Sequence, residues 1–229
     1  AWRFLSISKF PEVEDMANAS SRTNQLLLLS AISFLAGTLV WLAFFWSPAG
    51  GERTASDSGV IATAEPIGGD FALQGPDGPV ALADYRGKVV LLYFGYTFCP
   101  DVCPTALSLV AQALSGLSPA ELEKTPGIFI SVDPERDTGE VLKAYTPFFH
   151  PNIVGITGSA EEVAKVARQY GASYMKQKPD SDGLYSVDHS SYTYVIDTEG
   201  KIAAILPHGT PPQAIIDKVR AVLGNAKAA

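Results

Sequence analysis

A chain of 229 residues with a formal net charge of −7 and only two cysteines excludes several classes at once. An acidic chain lacks the basic face that a nucleic-acid binder needs, and two cysteines cannot staple a domain of this size. The length leaves room for one globular domain of ~150 residues plus accessory segments.

The first segment with a clear character is apolar. No charged residue occurs between Thr23 and Gly51, and Leu26 to Trp46 is a 21-residue run of mostly Leu, Phe, Ala, Trp and Val. A membrane-spanning helix needs about 20 such residues, and Trp41 and Trp46 suit an interfacial aromatic belt. The run is longer than the apolar core of a cleaved signal peptide, and Ser47-Pro48-Ala49-Gly50 is a weak cleavage match, which favours an uncleaved anchor. Arg22, Lys9 and Arg3 precede the run and only Arg53 follows closely. The positive-inside bias therefore puts the N-terminus in the cytoplasm and the C-terminal part across the membrane. The expected layout is a tail at 1–23, a single transmembrane anchor at 24–47, a flexible linker at 48–66 and a folded domain at 67–229. The first fifteen residues do not read as a working segment, so Met16 is the expected start. The Gly-, Ala-, Ser- and Thr-rich stretch from Ser47 to Glu65 has the composition of a tether.

The domain opens with Phe71 and Leu73, then Val80 and Leu82, flanking the turn Gly75-Pro76-Asp77-Gly78, a hairpin signal. Val89 to Gly95 reads as a fully buried strand. A loop with Cys99 and Cys103 follows, and helical spacing begins near Pro104 with Leu107, Val110, Ala111 and Leu114 on one face. Ser118 with Glu121, and Ser159 with Glu162, are capping boxes. Gly127 to Val132 and Ile153 to Ile156 are further strands. Asp137 with Glu140 opens a helix whose apolar face is Val141, Leu142, Tyr145, Phe148 and Phe149. Val163, Val166, Ala167 and Tyr170 form another helical stripe. Tyr192 to Ile196 and Lys201 to Leu206 are strands joined at Asp197–Gly200, and a last helix starts near Thr210 with Ile215, Ile216, Val219, Val222 and Leu223 inward. This order predicts an α/β fold of the thioredoxin-like class with an extra N-terminal β-hairpin.

The cysteine pair falls between a buried strand and a helix, in YFGYTFCPDVCP from Tyr93. The exposed N–H groups and positive end of a helix start favour a thiolate, which both nucleophilic attack and metal binding require. The redox motif has two residues between its cysteines; this pair has three, which opens room for an ion. Two thiolates form a soft site suited to Cu(I), and a third ligand accommodates Cu(II) as well. Of the three histidines, His150 and His208 read as surface or capping residues. His189 lies in VDHSS directly ahead of a strand, where a thioredoxin-like fold packs a loop on the cysteines. Three ligands of the type Cys₂His fit copper and equally a catalytic zinc with one open position.

YFGYTFCPDVCPTAL from Tyr93, ISVDPERDTGEVLKAYTPFFHPNIVGITG from Ile130 and VDHSSYTYVIDTEG from Val187 closely resemble the Sco/SenC family of copper-delivery proteins. The resemblance runs from about Ile67 to Leu223. It implies a thioredoxin-like fold and one copper ion, Cu(I) or Cu(II), held by Cys99, Cys103 and His189. It further implies a metallochaperone, not an enzyme, that helps assemble the binuclear copper (CuA) site in subunit II of cytochrome c oxidase, with other copper carriers as further partners. The implied location is the bacterial inner membrane with the domain in the periplasm, or the mitochondrial inner membrane facing the intermembrane space. Asp101 and Asp133 also match the family pattern. The alternative is a thiol–disulfide oxidoreductase that uses Cys99 and Cys103 to reduce that subunit's cysteines and does not need His189. A peroxidase matches poorly, since its threonine and proline would precede a single reactive cysteine, and here Thr97 stands two residues before Cys99.

Overall fold

A computed structural model describes residues 29–39, 41, 59–60 and 66–225. The chain divides into two units after residue 55. In the first unit, residues 29–39 and 41 are helical (α1), with large apolar side chains such as Leu29, Phe34, Leu35 and Trp41 exposed. The 24–47 span expected from the sequence extends into residues outside those described, as do the tail and most of the linker. Among the described residues, no helix is long and apolar enough to cross a membrane.

The second unit is built on a five-stranded sheet. Strand β4 (Val90–Gly95) lies at its centre, parallel to β5 (Gly127–Ser131), which is parallel to β6 (Ile153–Ile156). On its other side β4 pairs antiparallel with β9 (Thr193–Ile196), which pairs antiparallel with β10 (Ile202–Leu206). Every residue of β4 and β5 is buried, the signature of strands covered on both faces. The edge strand β10 alternates half-buried and exposed positions, as a strand covered on one face does. Helix α2 (Val102–Ser115) packs on α6 (Pro212–Asn225) and on α4 (Gly139–Phe149), and α4 packs on β6. Both capping boxes form as expected, at the starts of α3 (Pro119–Glu123) and α5 (Ala160–Gln169). Parallel strands joined by helices, a late antiparallel pair and a closing helix make the mixed α/β, thioredoxin-like arrangement.

The N-terminal hairpin also forms. β2 (Ala72–Gly75) and β3 (Gly78–Ala81) pair antiparallel around Pro76-Asp77, and Gly78 takes φ +135, a region closed to most side chains. The 3-10 turn Leu82–Tyr85 follows. Backbone bonds between Gln74 and Thr157 tie the hairpin to the end of β6.

Four local expectations need correction. Helix α2 starts at Val102, not near Pro104. The first four N–H groups of a helix have no intrahelical partner, so a proline in the first turn loses nothing. Asp137 does not open α4: Thr138 is the N-cap, its hydroxyl accepting from Val141 N, and Asp137 is buried elsewhere. Phe148 is 85% exposed, outside the expected apolar face. It lies about 240° round the helix from Leu142, off the stripe of Leu142, Tyr145 and Phe149. Finally, a small antiparallel sheet forms where no strand is expected, from β1 (Gly59–Val60), β7 (Tyr174–Lys176) and β8 (Val187–His189), paired in the order β1-β7-β8. Its first strand falls inside the expected linker, and His189 ends its last strand and does not lie in a loop.

Candidate metal centre

The site lies at the C-terminal end of β4, where open α/β sheets place their ligand crevices. The strand ends at Gly95, a position that needs glycine because a Cβ there would stand 2.6 Å from Cys103 Sγ and 2.9 Å from the Phe129 ring. The chain then turns through 96–101, with Cys99 N donating back to Tyr96 O at 3.3 Å, and enters α2 at Val102. Cys103 therefore lies in the first helical turn and Cys99 just ahead of it. The Cys103 backbone N–H, one of the free donors of the helix start, points to Cys99 Sγ at 3.5 Å.

The β7–β8 hairpin brings the third residue. Tyr174 pairs with His189, and this register puts His189 Nε2 3.2 Å from Cys103 Sγ. Its Nδ1–H donates to Ser190 O at 3.1 Å, which orients the ring and turns Nε2 toward the sulfurs. The rings of Tyr93 and Tyr96 stand edge-on to the imidazole, at 87° and 89°. One ligand atom from each of Cys99, Cys103 and His189 lies within 4.8 Å of the others, and among the described residues they form the one such metal-competent group. Cys103 is 0% and Cys99 8% exposed, and His189 is half-buried. A cavity of about 470 Å³ opens over them, lined by Tyr96, Cys99, Asp101, Val187 and His189 among others. An ion would enter past Cys99 and His189, with Cys103 as the floor.

The two thiols are coupled to one another. The hydrogen bond from the Cys103 thiol, aided by His189 and the backbone N–H of Cys103, lowers Cys99 to about 4 against the opposing effect of burial. The same bond and deeper burial push Cys103 well above the thiol range. Of the pair, Cys99 is the one that favours the thiolate, and a soft cation would have to displace the proton that Cys103 holds. Both cysteines are free.

The other expected residues stand apart. His150 caps the C-terminal end of α4 and its Nδ1 accepts from Asn152 N; His208 is exposed in the turn before α6. Asp101 is exposed at the cavity mouth and makes no side-chain cap of α2. Asp133 is 3% exposed, paired with Arg136 and accepting from the Tyr185 hydroxyl at 2.8 Å. The hydroxyl of Thr97 is committed to Asp137 Oδ1 at 2.5 Å, which removes it from the role a peroxidase would give it. Sequence reasoning missed Gly95, Arg136 and Tyr185. Of these only Gly95 carried a signal, a glycine closing an otherwise unbroken apolar strand.

The chain matches a cattle protein named "Protein SCO2 homolog, mitochondrial" with 41% identity over 159 residues, which cover 66% of this chain and 58% of that one. It matches "SCO2-like protein" of Rickettsia felis with 37% identity over 153 residues, covering 66% and 74% respectively. The chain therefore spans less than two thirds of the cattle relative. Among solved structures, "Structure of Bradyrhizobium japonicum ScoI with copper bound" superposes with a TM-score of 0.63 at 37% identity, over 69% of this chain and 99% of that one. A sequence model of SCO1/SenC matches residues 60–224, a stretch that starts in β1 and ends in α6 and so takes in the whole described α/β unit with its cysteine turn and histidine hairpin. On that match and those identities, this chain belongs to the SCO1/SenC family.

Proposed function

We propose that this protein is a copper metallochaperone that binds one copper ion, Cu(I) or Cu(II), through Cys99, Cys103 and His189. The observation that carries this reading is the donor set itself: two sulfurs and one correctly oriented imidazole nitrogen within 4.8 Å, beneath an open cavity. Two thiolates suit a soft monovalent ion, and the added imidazole suits the divalent state. Three protein ligands also leave the site short of the four that a structural zinc takes. An ion so held is retained yet open to an incoming ligand, as cargo must be. The copper-bound relative supports the choice of metal.

The cargo's destination in this reading is the CuA site of cytochrome c oxidase subunit II, reached by handing over copper and not by catalytic turnover. The apolar run at Leu26–Trp46 would anchor the chain in one pass. The domain would then face the bacterial periplasm or the mitochondrial intermembrane space. A second reading is favoured by one observation: Cys99 Sγ faces a helix-start N–H, which favours its thiolate, and has a second sulfur in reach. Such a pair can attack a disulfide and resolve the mixed disulfide, reducing the cysteines of subunit II.

His189→Ala in the full chain separates the two. Under the copper reading the variant loses tight Cu(II) binding and fails to restore oxidase assembly in cells lacking the wild-type protein. Full restoration of assembly by His189→Ala would give the protein to the thiol reading.

A further inference from the structure

The small sheet that carries His189 has a mechanical weakness. Among the described residues, no ladder joins β1-β7-β8 to the five-stranded sheet that positions the cysteines. Its strands are only two or three residues long, too short to hold the sheet in place by themselves. Something else must fix the imidazole relative to the sulfurs.

The turn that follows β5 does so from both sides. Toward the cysteines, the buried Asp137 carboxylate accepts from Thr97 N at 2.9 Å and Thr97 Oγ1 at 2.5 Å, and is held in turn by Ser131 Oγ at 2.6 Å. Thr97 stands two residues before Cys99. Toward the histidine, Asp133 accepts from the Tyr185 hydroxyl, and Arg136 Nη1 donates to Tyr185 O at 2.9 Å. The Arg136 guanidinium also lies 3.7 Å from the Tyr185 ring centroid, while its other neighbours are the rings of Phe98 and Tyr96 in the cysteine turn. Glu135 adds an ion pair to Lys176 of β7. Four residues of this one turn, Asp133, Glu135, Arg136 and Asp137, thus reach between them both ligand-bearing segments. Asp133 is nearly inaccessible, and a buried carboxylate with two donors is a network in which losing one partner is costly.

We infer that residues 133–137 are a positioning brace for the metal centre, in which the Asp133–Arg136 pair latches the β7–β8 hairpin through Tyr185 and thereby holds His189 on the sulfurs. Arg136 and Tyr185 touch no metal and act through His189. The inference rests on the three-ligand copper reading above. The latch governs the ligand that the divalent state needs most, so it sets how firmly the site keeps Cu(II) while the two thiolates continue to hold Cu(I).

The test is a double-mutant comparison in the full chain, read by chelator competition for Cu(II) and by the thiolate-to-Cu(II) charge-transfer absorption. Tyr185→Phe removes one hydroxyl and keeps the ring against Arg136, so it leaves the fold intact; Arg136→Gln removes the guanidinium's bond to Tyr185 O and its place over the ring. Each should lower Cu(II) affinity roughly 10–100-fold, the range for lost outer-shell partners, and alter the charge-transfer band, with Cu(I) still bound one per chain. In a His189→Ala background the same substitutions should cost nothing further, because the ligand they position is gone. An equal loss with and without His189, or no loss in its presence, overturns the latch. If His189→Ala by itself binds Cu(II) like the wild type, the three-ligand reading falls, and the latch with it.

Discussion

Cys103→Ala abolishes stoichiometric copper binding and leaves a folded protein. Cys103 Sγ is the inaccessible floor of the site, 3.2 Å from His189 Nε2 and packed on the backbone of Gly95. Its removal takes away one of two soft donors. It also takes away the hydrogen bond that is the largest cause of the lowered Cys99 pKa, so the remaining thiol drifts back toward its ordinary range and competes less well for a cation at neutral pH. The loss of copper affinity should exceed the roughly 10–100-fold that an outer-shell substitution costs. The structural penalty is small by comparison, about 1 kcal/mol for one buried sulfur replaced by a void of that size. Copper titration followed by desalting reads the first effect, and a denaturant melt reads the second. A Cys103→Ala protein that still retained one copper per chain would show that the ligand set is wrong.

Gly95→Ala damages both fold and site. The added Cβ would stand 2.6 Å from Cys103 Sγ and 2.9 Å from Phe129, and neither neighbour is the loose end of a flexible chain. Phe129 is fully buried in β5, and Cys103 is fixed by the first turn of α2. Overpacking of this kind costs about 1–3 kcal/mol. The sulfur is the smaller obstacle, so the first turn of α2 moves outward and separates Cys103 from His189. The expected result is a lower denaturation midpoint together with weaker Cu(II) binding. A Gly95→Ala protein with wild-type copper affinity would mean that the sulfur does not sit on the strand end as described.

Much of this site was legible in the sequence because local chemistry decides it. The unbroken apolar run around Val90–Gly95, the capping boxes at Ser118 and Ser159, and the two cysteines between a strand and a helix each carry their own signal. His189 was legible only through topology: nothing in VDHSS distinguishes a ligand from a solvated loop until the neighbouring strand is placed on the sheet. The β7–β8 hairpin left no trace because its strands are three residues each, and β7 is half-buried throughout, with no alternation. Side chains far away in sequence contact it, among them Arg136 and Asp133 on Tyr185. Asp137 misled for a related reason. An acidic residue ahead of a helix reads as a cap, but the adjacent Thr138 takes that role, and Asp137 serves the cysteine turn forty residues earlier in the chain. Burial raises its carboxyl pKa and the three hydrogen bonds from Ser131 and Thr97 oppose that rise, a balance no local pattern reveals.

X-ray absorption at the copper edge of the full chain loaded with one equivalent of Cu(II) tests the central claim most directly. A first shell of two sulfurs and one imidazole nitrogen from the protein, with the nitrogen lost in His189→Ala, is the predicted result. A shell without sulfur, or one of four sulfurs drawn from two chains, would contradict it.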